Sequence, residues 1–511
     1  MAILQSDSKL LALASSYQAF GWAFVSICVL KYISDSRKTN HTIPGVGFDS
    51  FPLLKQWRAA YRLMSSPKML MLEGYDKYKD GYFRISTPQY EYVIVSDHDK
   101  INEFLGAPED TLSFIDSSNE AFQIPWTMGK GVAFNHYHTV IVRTKLTQKI
   151  QNLVPILIPE IEERFNTLVG DPSDWKELCI YDVIVEAVAR VSNKAFVGSP
   201  LCHNQEYLQN AMSYAQDVVL SAELIRIFPN WIKSTLVRLT PIHRRRRVAM
   251  KFLGPLIRER LAIADERSNE QPRPDDMLQW LCEAAPPSER TVDRLLELLM
   301  GLNVASIHTT TMTTANAAYA LAEEPEKYLD ELRQEISENC NPDGTFNKAN
   351  MSKLKKMDSF LREVGRVKNP GLVNLARNVK KDFQFKDGTV VKAGTVIAVP
   401  SHSLQRDPAF FSSPEDFDGF RFSRQQEEGA GTGKVTKHQM VSTDLNHLAF
   451  GHGKHACPGR FFAVNEMKMI LAHIIARYDF KLVPGNLPNV FYVGTMGIAD
   501  TKLKILVRAR Q

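Results

Sequence analysis

Apolar residues recur at helical spacing through most of residues 139–368, which predicts a long series of amphipathic helices. Shorter stretches alternate apolar and polar residues, a period typical of half-buried strands. These stretches are Tyr90 to Ser96, residues 382–400 with a hairpin turn at Asp387-Gly388, and Lys502 to Val507. No repeat or low-complexity linker divides the sequence after residue 50. The pattern therefore predicts a mainly α fold with small β-sheets, in a single large domain over residues 51–511.

An uncharged stretch of 21 residues runs from Leu10 to Leu30 near the amino end. A helix of that length, rising about 1.5 Å per residue, would reach roughly 30 Å, the thickness of a bilayer. We predict a transmembrane anchor over residues 10–30, with residues 1–9 lumenal and residues 31–50 forming a linker with a Pro/Gly hinge. Because polar residues interrupt the stretch, a signal peptide or a buried amphipathic helix stays open as an alternative. Basic residues after the stretch place the remaining chain in the cytosol.

Composition narrows the classes of function. The 511 residues are 44% hydrophobic and 23% charged, the balance of a globular protein, and the net charge of +5 is too small to indicate nucleic acid as the main partner. The sequence has six cysteines, none in a CxxC pair, which argues against a disulfide framework and against a structural zinc site. The cysteines are those of a protein in a reducing compartment.

One cysteine lies in a glycine-rich loop, Phe450 to Arg460 (FGHGKHACPGR), which leads into an apolar helical stretch. We expect the glycines at 451, 453 and 459 to allow positive φ and close approach to a flat ligand. Backbone amides and the start of the next helix should favour a thiolate at Cys457. A single sulfur ligand suits a metal that a macrocycle already holds, and haem iron is the obvious candidate. A buried free cysteine is the alternative.

Phe450, Gly453, Cys457 and Gly459 fit the pattern F-x-x-G-x-x-x-C-x-G, and in this the sequence resembles the cytochrome P450 superfamily. The resemblance implies haem b, with Cys457 as the axial ligand of the iron and the other three residues shaping the cofactor site. It also implies a fold that is mostly helical, as the hydrophobic pattern predicts.

Glu363 and Arg366 stand three residues apart on a predicted helix, so they can form an ion pair. Alone, such a pair is most often a surface salt bridge. In the family that the sequence resembles, this E-x-x-R pair is buried and is joined by an arginine from a later loop. Arg421, in the segment Pro414 to Phe422 (PEDFDGFRF), is the expected third member, with a structural role.

The run Ala305 to Thr310 (ASIHTT) matches the place of the oxygen-activation helix in the resembled family. A small residue at Ala305 would leave room for dioxygen, and the Thr309 hydroxyl would loosen the helix and pass protons. His308 stands where the family usually has an acid. Its imidazole could relay protons near neutral pH, or it could point into a polar cavity or pair with another helix.

The two propionates of a haem need cations or strong donors where they are desolvated. The resemblance nominates His455, Arg377 and, more weakly, Arg143. The family's W-x-x-x-R pattern is broken here, because Thr139 stands where tryptophan is expected and the nearest aromatic, Tyr137, is out of register.

As implied by the resemblance, the protein is a monooxygenase that inserts one oxygen atom from O2 into a hydrophobic small molecule. No flavin- or nicotinamide-binding segment is evident, so electrons are expected from a separate NADPH-cytochrome P450 reductase docked near Lys454 and Arg460. The residues around His308 and the hinge resemble fungal microsomal enzymes related to ent-kaurene oxidase, which suggests a terpenoid substrate and the endoplasmic reticulum membrane. A peroxide-using enzyme or isomerase and a non-catalytic haem-binding membrane protein are the alternatives.

Residues that could contact the substrate are apolar and come from four parts of the sequence. They are Phe114, Phe122, Trp126, Val304, Leu372, Val373 and Met496. For each of them ordinary core packing is at least as good an interpretation.

Overall fold

A computed structural model of the full chain describes residues 42–48, 55–87, 90–265, 273–341, 345–368, 371–431 and 438–511. The predicted anchor over residues 10–30 lies outside these ranges. Within them, no helix is both long enough and apolar enough to cross a membrane.

Helices make up most of the described chain. In order they are α1 Lys55–Ser65, α2 Pro67–Lys77, α3 His98–Gly106, α4 Phe114–Phe122, α5 Ile124–Thr127, α6 Lys130–Phe134, α7 Tyr137–Ile141, α8 Thr147–Leu168, α9 Ile180–Val197, α10 Gln205–Arg226, α11 Asn230–Leu236, α12 Ile242–Asp265, α13 Met277–Ala284, α14 Val292–Glu323, α15 Pro325–Asn339, α16 Lys348–Lys353, α17 Lys355–Val367, α18 Ser401–Leu404, α19 Arg421–Gly431 and α20 Arg460–Arg477. A π-turn, Val142–Leu146, joins α7 to α8. Four short 3₁₀ turns occupy Leu201–His203, Val237–Leu239, Pro287–Glu289 and Gly453–His455.

The strands are short and form small sheets. They are β1 Tyr82–Ser86, β2 Glu91–Val95, β3 Leu112–Ser113, β4 Lys176–Cys179, β5 Asn374–Val379, β6 Phe383–Gln384, β7 Val390–Val391, β8 Val396–Val399, β9 Tyr478–Leu482, β10 Phe491–Val493, β11 Met496–Ile498 and β12 Lys504–Ala509. One sheet has the order β1-β2-β8-β5-β3, and another has the order β4-β12-β9. Two hairpins, β6-β7 and β10-β11, complete the set.

The 32-residue helix α14 is the central element of the core. It begins where the Thr291 hydroxyl accepts a hydrogen bond from the Arg294 amide, an N-cap that satisfies one of the free amides of the first turn. Leu295 to Met300 and Thr314 to Ala322 are buried at its two ends, and the helix packs against α9, α10, α12 and α20. Since both ends are fixed by packing, the middle of α14 is held in a defined position.

The structure confirms the mainly helical class with small sheets. The alternating stretch after Tyr90 forms β2, and the last alternating stretch forms β12. The predicted hairpin turn is present between β6 and β7, where Gly388 adopts φ +87° and its amide donates to the Phe385 carbonyl. A positive φ of this kind explains the glycine.

Candidate active site

The cysteine loop is closed by its own backbone. The Cys457 amide donates to the Phe450 carbonyl at 2.8 Å, and Phe450 packs against the main core. Gly451 and Gly453 have φ of +66° and +73°, as expected for glycines that a side chain could not replace without strain. The expectation was wrong for Gly459, whose φ is −89°. Gly459 instead caps the start of α20 and lies close to the π-turn, where a Cβ would sit 3.5 Å from Val142 Cγ1.

The Cys457 sulfur is not a thiolate by virtue of the loop alone. Burial raises the pKa of the Cys457 thiol, although hydrogen bonds from the Gly459 and Arg460 amides and the Arg460 charge act in the opposite direction. The amides therefore act in the expected direction, and without a metal desolvation has the larger effect on the pKa. A bound metal cation removes the proton of a coordinating thiol outright, so this buried sulfur suits a metal ligand better than a free nucleophile.

Ala305 and Thr309 lie one turn apart on α14 and are the only exposed residues of that helix between Leu295 and Ala322. The Thr309 hydroxyl donates to the Ala305 carbonyl at 2.7 Å. Thr311 makes the same kind of bond to the Ile307 carbonyl at 2.7 Å but is fully buried. Exposure, and not hydrogen bonding, thus distinguishes Thr309 from the neighbouring threonine.

His308 lies on a different face of α14 and connects three helices. Its Nε2 is 3.0 Å from the Met212 carbonyl of α10, and its Nδ1 is 3.2 Å from the Tyr181 hydroxyl of α9. A carbonyl only accepts, so Nε2 carries the proton and Nδ1 accepts from the tyrosine. Burial lowers the pKa of His308, which keeps the ring neutral. Of the interpretations that the sequence left open, this geometry favours pairing with another helix. The proton-relay role stays a prediction.

We expect His308→Phe to lower the free energy of unfolding by about 1–3 kcal/mol, because the Tyr181 hydroxyl would be left buried without its acceptor. Tyr181→Phe should cost less, and the double variant should be no worse than His308→Phe, since the two residues form one interaction. Urea unfolding of the four proteins measures this. A helix-pairing role is excluded if stability is unchanged while the fraction of electrons lost to peroxide rises.

Glu363 and Arg366 are completely buried on α17. Arg366 donates to both carboxylate oxygens of Glu363, Nε to Oε2 at 2.8 Å and Nη2 to Oε1 at 2.7 Å. Arg421, at the start of α19, adds an Nε to Oε1 bond of 3.1 Å. Further guanidinium protons go to backbone carbonyls, those of Gln405 and Pro414 from Arg366 and that of Ser412 from Arg421. The three predicted residues are therefore together, and their hydrogen bonds tie α17 to the loops that precede α19.

Arg377 and His455 lie near one carboxylate, that of Glu109. His455 Nε2 is 3.2 Å from Glu109 Oε2, and the His455 ring stacks on Phe114, with the ring centroids 4.7 Å apart. The Arg377 guanidinium lies 5.1 Å from the centre of the same phenyl ring. Burial lowers the pKa of Arg377 to about 10, and within the described ranges no carboxylate lies at ion-pair distance from it. Arg377 is thus a buried cation whose charge interacts with Glu109 from beyond ion-pair distance, and its Nη1 donates to the Ala376 carbonyl at 2.8 Å.

Arg143 is placed differently from the other two candidates. It is exposed in the π-turn, and its Nη2 makes a long 3.4 Å bond to the Lys454 carbonyl. Two basic residues were expected on the face that docks a reductase. Lys454 is exposed. The Arg460 guanidinium donates to the Cys457 and Val441 carbonyls, at 2.9 Å and 3.1 Å.

Two of the residues proposed to contact substrate make packing contacts within the protein instead. Phe114 is the platform between His455 and Arg377, and Leu372 is fully buried in a small cluster with β1 and β2. Both therefore pack within the protein.

Some residues of the site belong to no pattern that is visible in the sequence. Tyr181 and Glu109 belong to no motif, and only the tertiary fold brings them to His308 and His455. Arg362, beside Glu363, is 2% exposed and donates to the Gln439 and Ser442 carbonyls, which anchors the segment that leads to the cysteine loop. An arginine among the apolar residues of α17 was the signal for it.

The comparisons with known proteins agree on one family. The family model described as Cytochrome P450 matches residues 57–507. Cytochrome P450 monooxygenase olcJ of Penicillium canescens is 33% identical, over 98% of this chain and 94% of its own length. Cytochrome P450 monooxygenase 151 of Postia placenta is 34% identical, over 97% and 98%. The retinoic-acid-bound cyanobacterial CYP120A1 superposes with a TM-score of 0.68 and 17% identity, over 92% of this chain and 99% of that one, which shows the shared fold.

A helical domain built around a cysteine loop and a buried E-x-x-R pair defines a haem-thiolate type of enzyme. The chain belongs to the cytochrome P450 family and is a monooxygenase of that family. Family membership implies haem, with its iron held by a cysteinate.

The residues present fit that cofactor. Arg377 is buried without a carboxylate at ion-pair distance among the described residues, which suits an acidic group, and Cys457 is the cysteine that the family motif places at the iron. Gly451 and Gly453, which precede Cys457, have positive φ and add no side chains to the loop.

Proposed function

We propose that this protein is a membrane-anchored monooxygenase of fungal secondary metabolism that inserts one oxygen atom from O2 into a hydrophobic small molecule of terpenoid type. Two electrons come from NADPH through a separate reductase. The catalytic domain faces the cytosol at the endoplasmic reticulum membrane. Fungal relatives at about one-third identity over nearly the whole chain support the setting, and the uncharged stretch over residues 10–30 supports the anchor.

The observation that carries the oxygen chemistry is the exposure of Ala305 and Thr309 on an otherwise enclosed helix. Exposure of a methyl group and a hydroxyl one turn apart on a helix this well packed is what a helix that borders a space for small molecules would show. Bound haem supplies the reductive activation of O2, which the electron density of the cysteinate favours.

The side chains of this site have separate tasks. Cys457 fixes the cofactor, and Arg377 and His455 orient its acidic edge. Ala305 leaves space beside the helix. Thr309 donates its proton to the Ala305 carbonyl but keeps two lone pairs on Oγ1, so it can accept a hydrogen bond from water and turn to pass a proton onward.

We expect Thr309→Ala to divert most reducing equivalents from product into peroxide, because the hydroxyl that delivers protons is lost. The matched control is Thr311→Ala, which removes a hydroxyl with the same helical hydrogen bond but in the buried core. NADPH consumed, peroxide formed and product formed are measured together. Equal coupling in the two variants would remove the proton-delivery assignment.

Reconstitution tests the proposal as a whole. Full-length protein in vesicles with reductase, NADPH and O2 should oxidise terpenoid hydrocarbons, with one oxygen atom added as seen by mass spectrometry. Product formed from a hydroperoxide alone, without reductase or O2, would favour the peroxide-using alternative. Haem binding without any turnover would favour a non-catalytic role.

A further inference from the structure

Helix α9 carries two neighbouring polar side chains that reach two different helices of the site. The Ser192 hydroxyl donates to Glu466 Oε1 of α20 at 2.9 Å, and Asn193 Nδ2 donates to Asn303 Oδ1 of α14 at 2.8 Å. Successive residues of a helix point about 100° apart, so a helix that packs against two others can bond to both through adjacent side chains. We call Ser192, Asn193, Asn303 and Glu466 the polar bridge.

The polar bridge is enclosed in the apolar core, and each of its four residues is at most 2% exposed. Asn193 Oδ1 also accepts from the Tyr207 hydroxyl at 2.8 Å, and Asn303 Nδ2 donates to the Leu299 carbonyl at 3.1 Å. Burial raises the pKa of Glu466 to about 8, so its carboxyl is mostly neutral at pH 7 and needs no counter-ion. Hydrogen bonds in such surroundings are costly to leave unmade.

The two ends of the polar bridge lie close to the two sides of the cofactor site. Asn303 stands two residues before Ala305 on α14, which is about 3 Å along the helix axis. Glu466 lies on α20, roughly 9 Å along its axis from Arg460, where the cysteine loop ends. The polar bridge therefore links the helix that carries Ala305 to the helix that follows Cys457.

Apolar packing alone would fix these two helices less strictly. Helices α14 and α20 also pack against each other, but hydrophobic contact is non-directional and depends mainly on the area that is buried. A hydrogen bond requires a particular distance and angle. The polar bridge therefore selects one relative position of α14 and α20 among those that bury a similar apolar area.

We propose that Ser192 and Asn193 are positioning residues that set the distance of Ala305 and Thr309 on α14 from Cys457, and so the width of the space between them. Both residues are fully buried, and they act through α14 and α20. The inference uses the monooxygenase class that the family shows, and it holds whichever substrate the protein takes.

The carbon monoxide complex of the reduced, full-length, haem-loaded protein reports the position of α14, because its C–O stretching band responds to polar groups beside the ligand. We expect one main infrared band in wild type. In Asn193→Leu and in Ser192→Ala a second band should appear, with its ratio to the main band roughly 10-fold higher than in wild type, as for one lost buried hydrogen bond. Neither substitution alters α14 itself, so a direct effect on Ala305 is excluded.

Asn316→Leu is the matched control. Asn316 is buried on α14, seven residues beyond Thr309, and donates to the Lys368 carbonyl at 3.1 Å. Its loss should lower the urea midpoint of unfolding to an extent comparable with Asn193→Leu but leave the infrared band unchanged. If Asn193→Leu and Ser192→Ala lowered stability and also left the band unchanged, the polar bridge would be structural only and the proposal would be overturned.

The two halves of the polar bridge act in series. Ser192→Ala combined with Asn193→Leu should give the same band ratio as Asn193→Leu, because either loss already separates α14 from α20. Glu466→Gln keeps an acceptor for the Ser192 hydroxyl and should give the wild-type band, whereas Glu466→Leu should behave like Ser192→Ala. Additive effects in the combined variant, or equal bands in Glu466→Gln and Glu466→Leu, would overturn the proposal. Should Asn193→Leu fail to fold, Ser192→Ala and Glu466→Leu carry the comparison, with Glu466→Gln as the control.

Discussion

Cys457→Ala is expected to abolish NADPH-dependent product formation. Alanine offers no ligand for iron, and within the loop Phe450 to Arg460 no other cysteine is present to replace it. The loop itself should persist, because its closing bond is between the residue 457 amide and the Phe450 carbonyl and does not use the sulfur. The variant should therefore fold but hold haem weakly or with a different ligand. Product, bound haem and the circular dichroism of the protein are the three measurements.

Cys340→Ala is the control for this change. Cys340 follows α15, and its sulfur donates only to the Ser337 carbonyl at 3.3 Å. It should keep both haem and turnover. Turnover by Cys457→Ala at the wild-type rate would refute the assignment of the iron ligand.

Glu363→Gln is expected to cost about 3–5 kcal/mol in the free energy of unfolding. Glutamine keeps the volume of the side chain but removes the charge that Arg366 and Arg421 share, so two buried guanidinium groups lose their counter-ion. The loops tied to α17 would loosen with them, and the yield of haem-loaded protein should fall steeply. Urea unfolding and the haem content of purified protein measure the two effects.

An exposed pair provides the comparison. Lys504 and Glu177 form a 2.9 Å ion pair across β12 and β4 with side chains 57% and 47% exposed. Glu177→Gln should change stability by less than about 1 kcal/mol, since solvent screens this pair. If the two substitutions had equal effects, the buried triad would not be the structural element described here.

Local sequence patterns were sufficient to predict several helices and strands and to locate the motif residues. The period of two predicted β2 and β12, and the spacing of Glu363 and Arg366 placed them on one face of a helix, as observed. The cysteine loop could be read because its glycines must meet backbone requirements that only local sequence decides.

The properties that the sequence could not predict depend on contacts between distant parts of the chain. His308 could not be assigned, because its partners Tyr181 and Met212 come from helices more than 90 residues away in sequence. The local sequence also could not give the pKa of the Cys457 thiol, because desolvation, which follows from packing, has a larger effect on it than the local amides.

The carbon monoxide difference spectrum of the reduced, haem-loaded protein tests the central assignment most directly. A thiolate ligand of the haem iron would shift the absorption band of the carbon monoxide complex far to the red of the band given by a nitrogen ligand. We expect the red-shifted band in the wild-type protein and its loss in Cys457→Ala. A wild-type band at the position typical of imidazole ligation would contradict the assignment of Cys457 as the iron ligand.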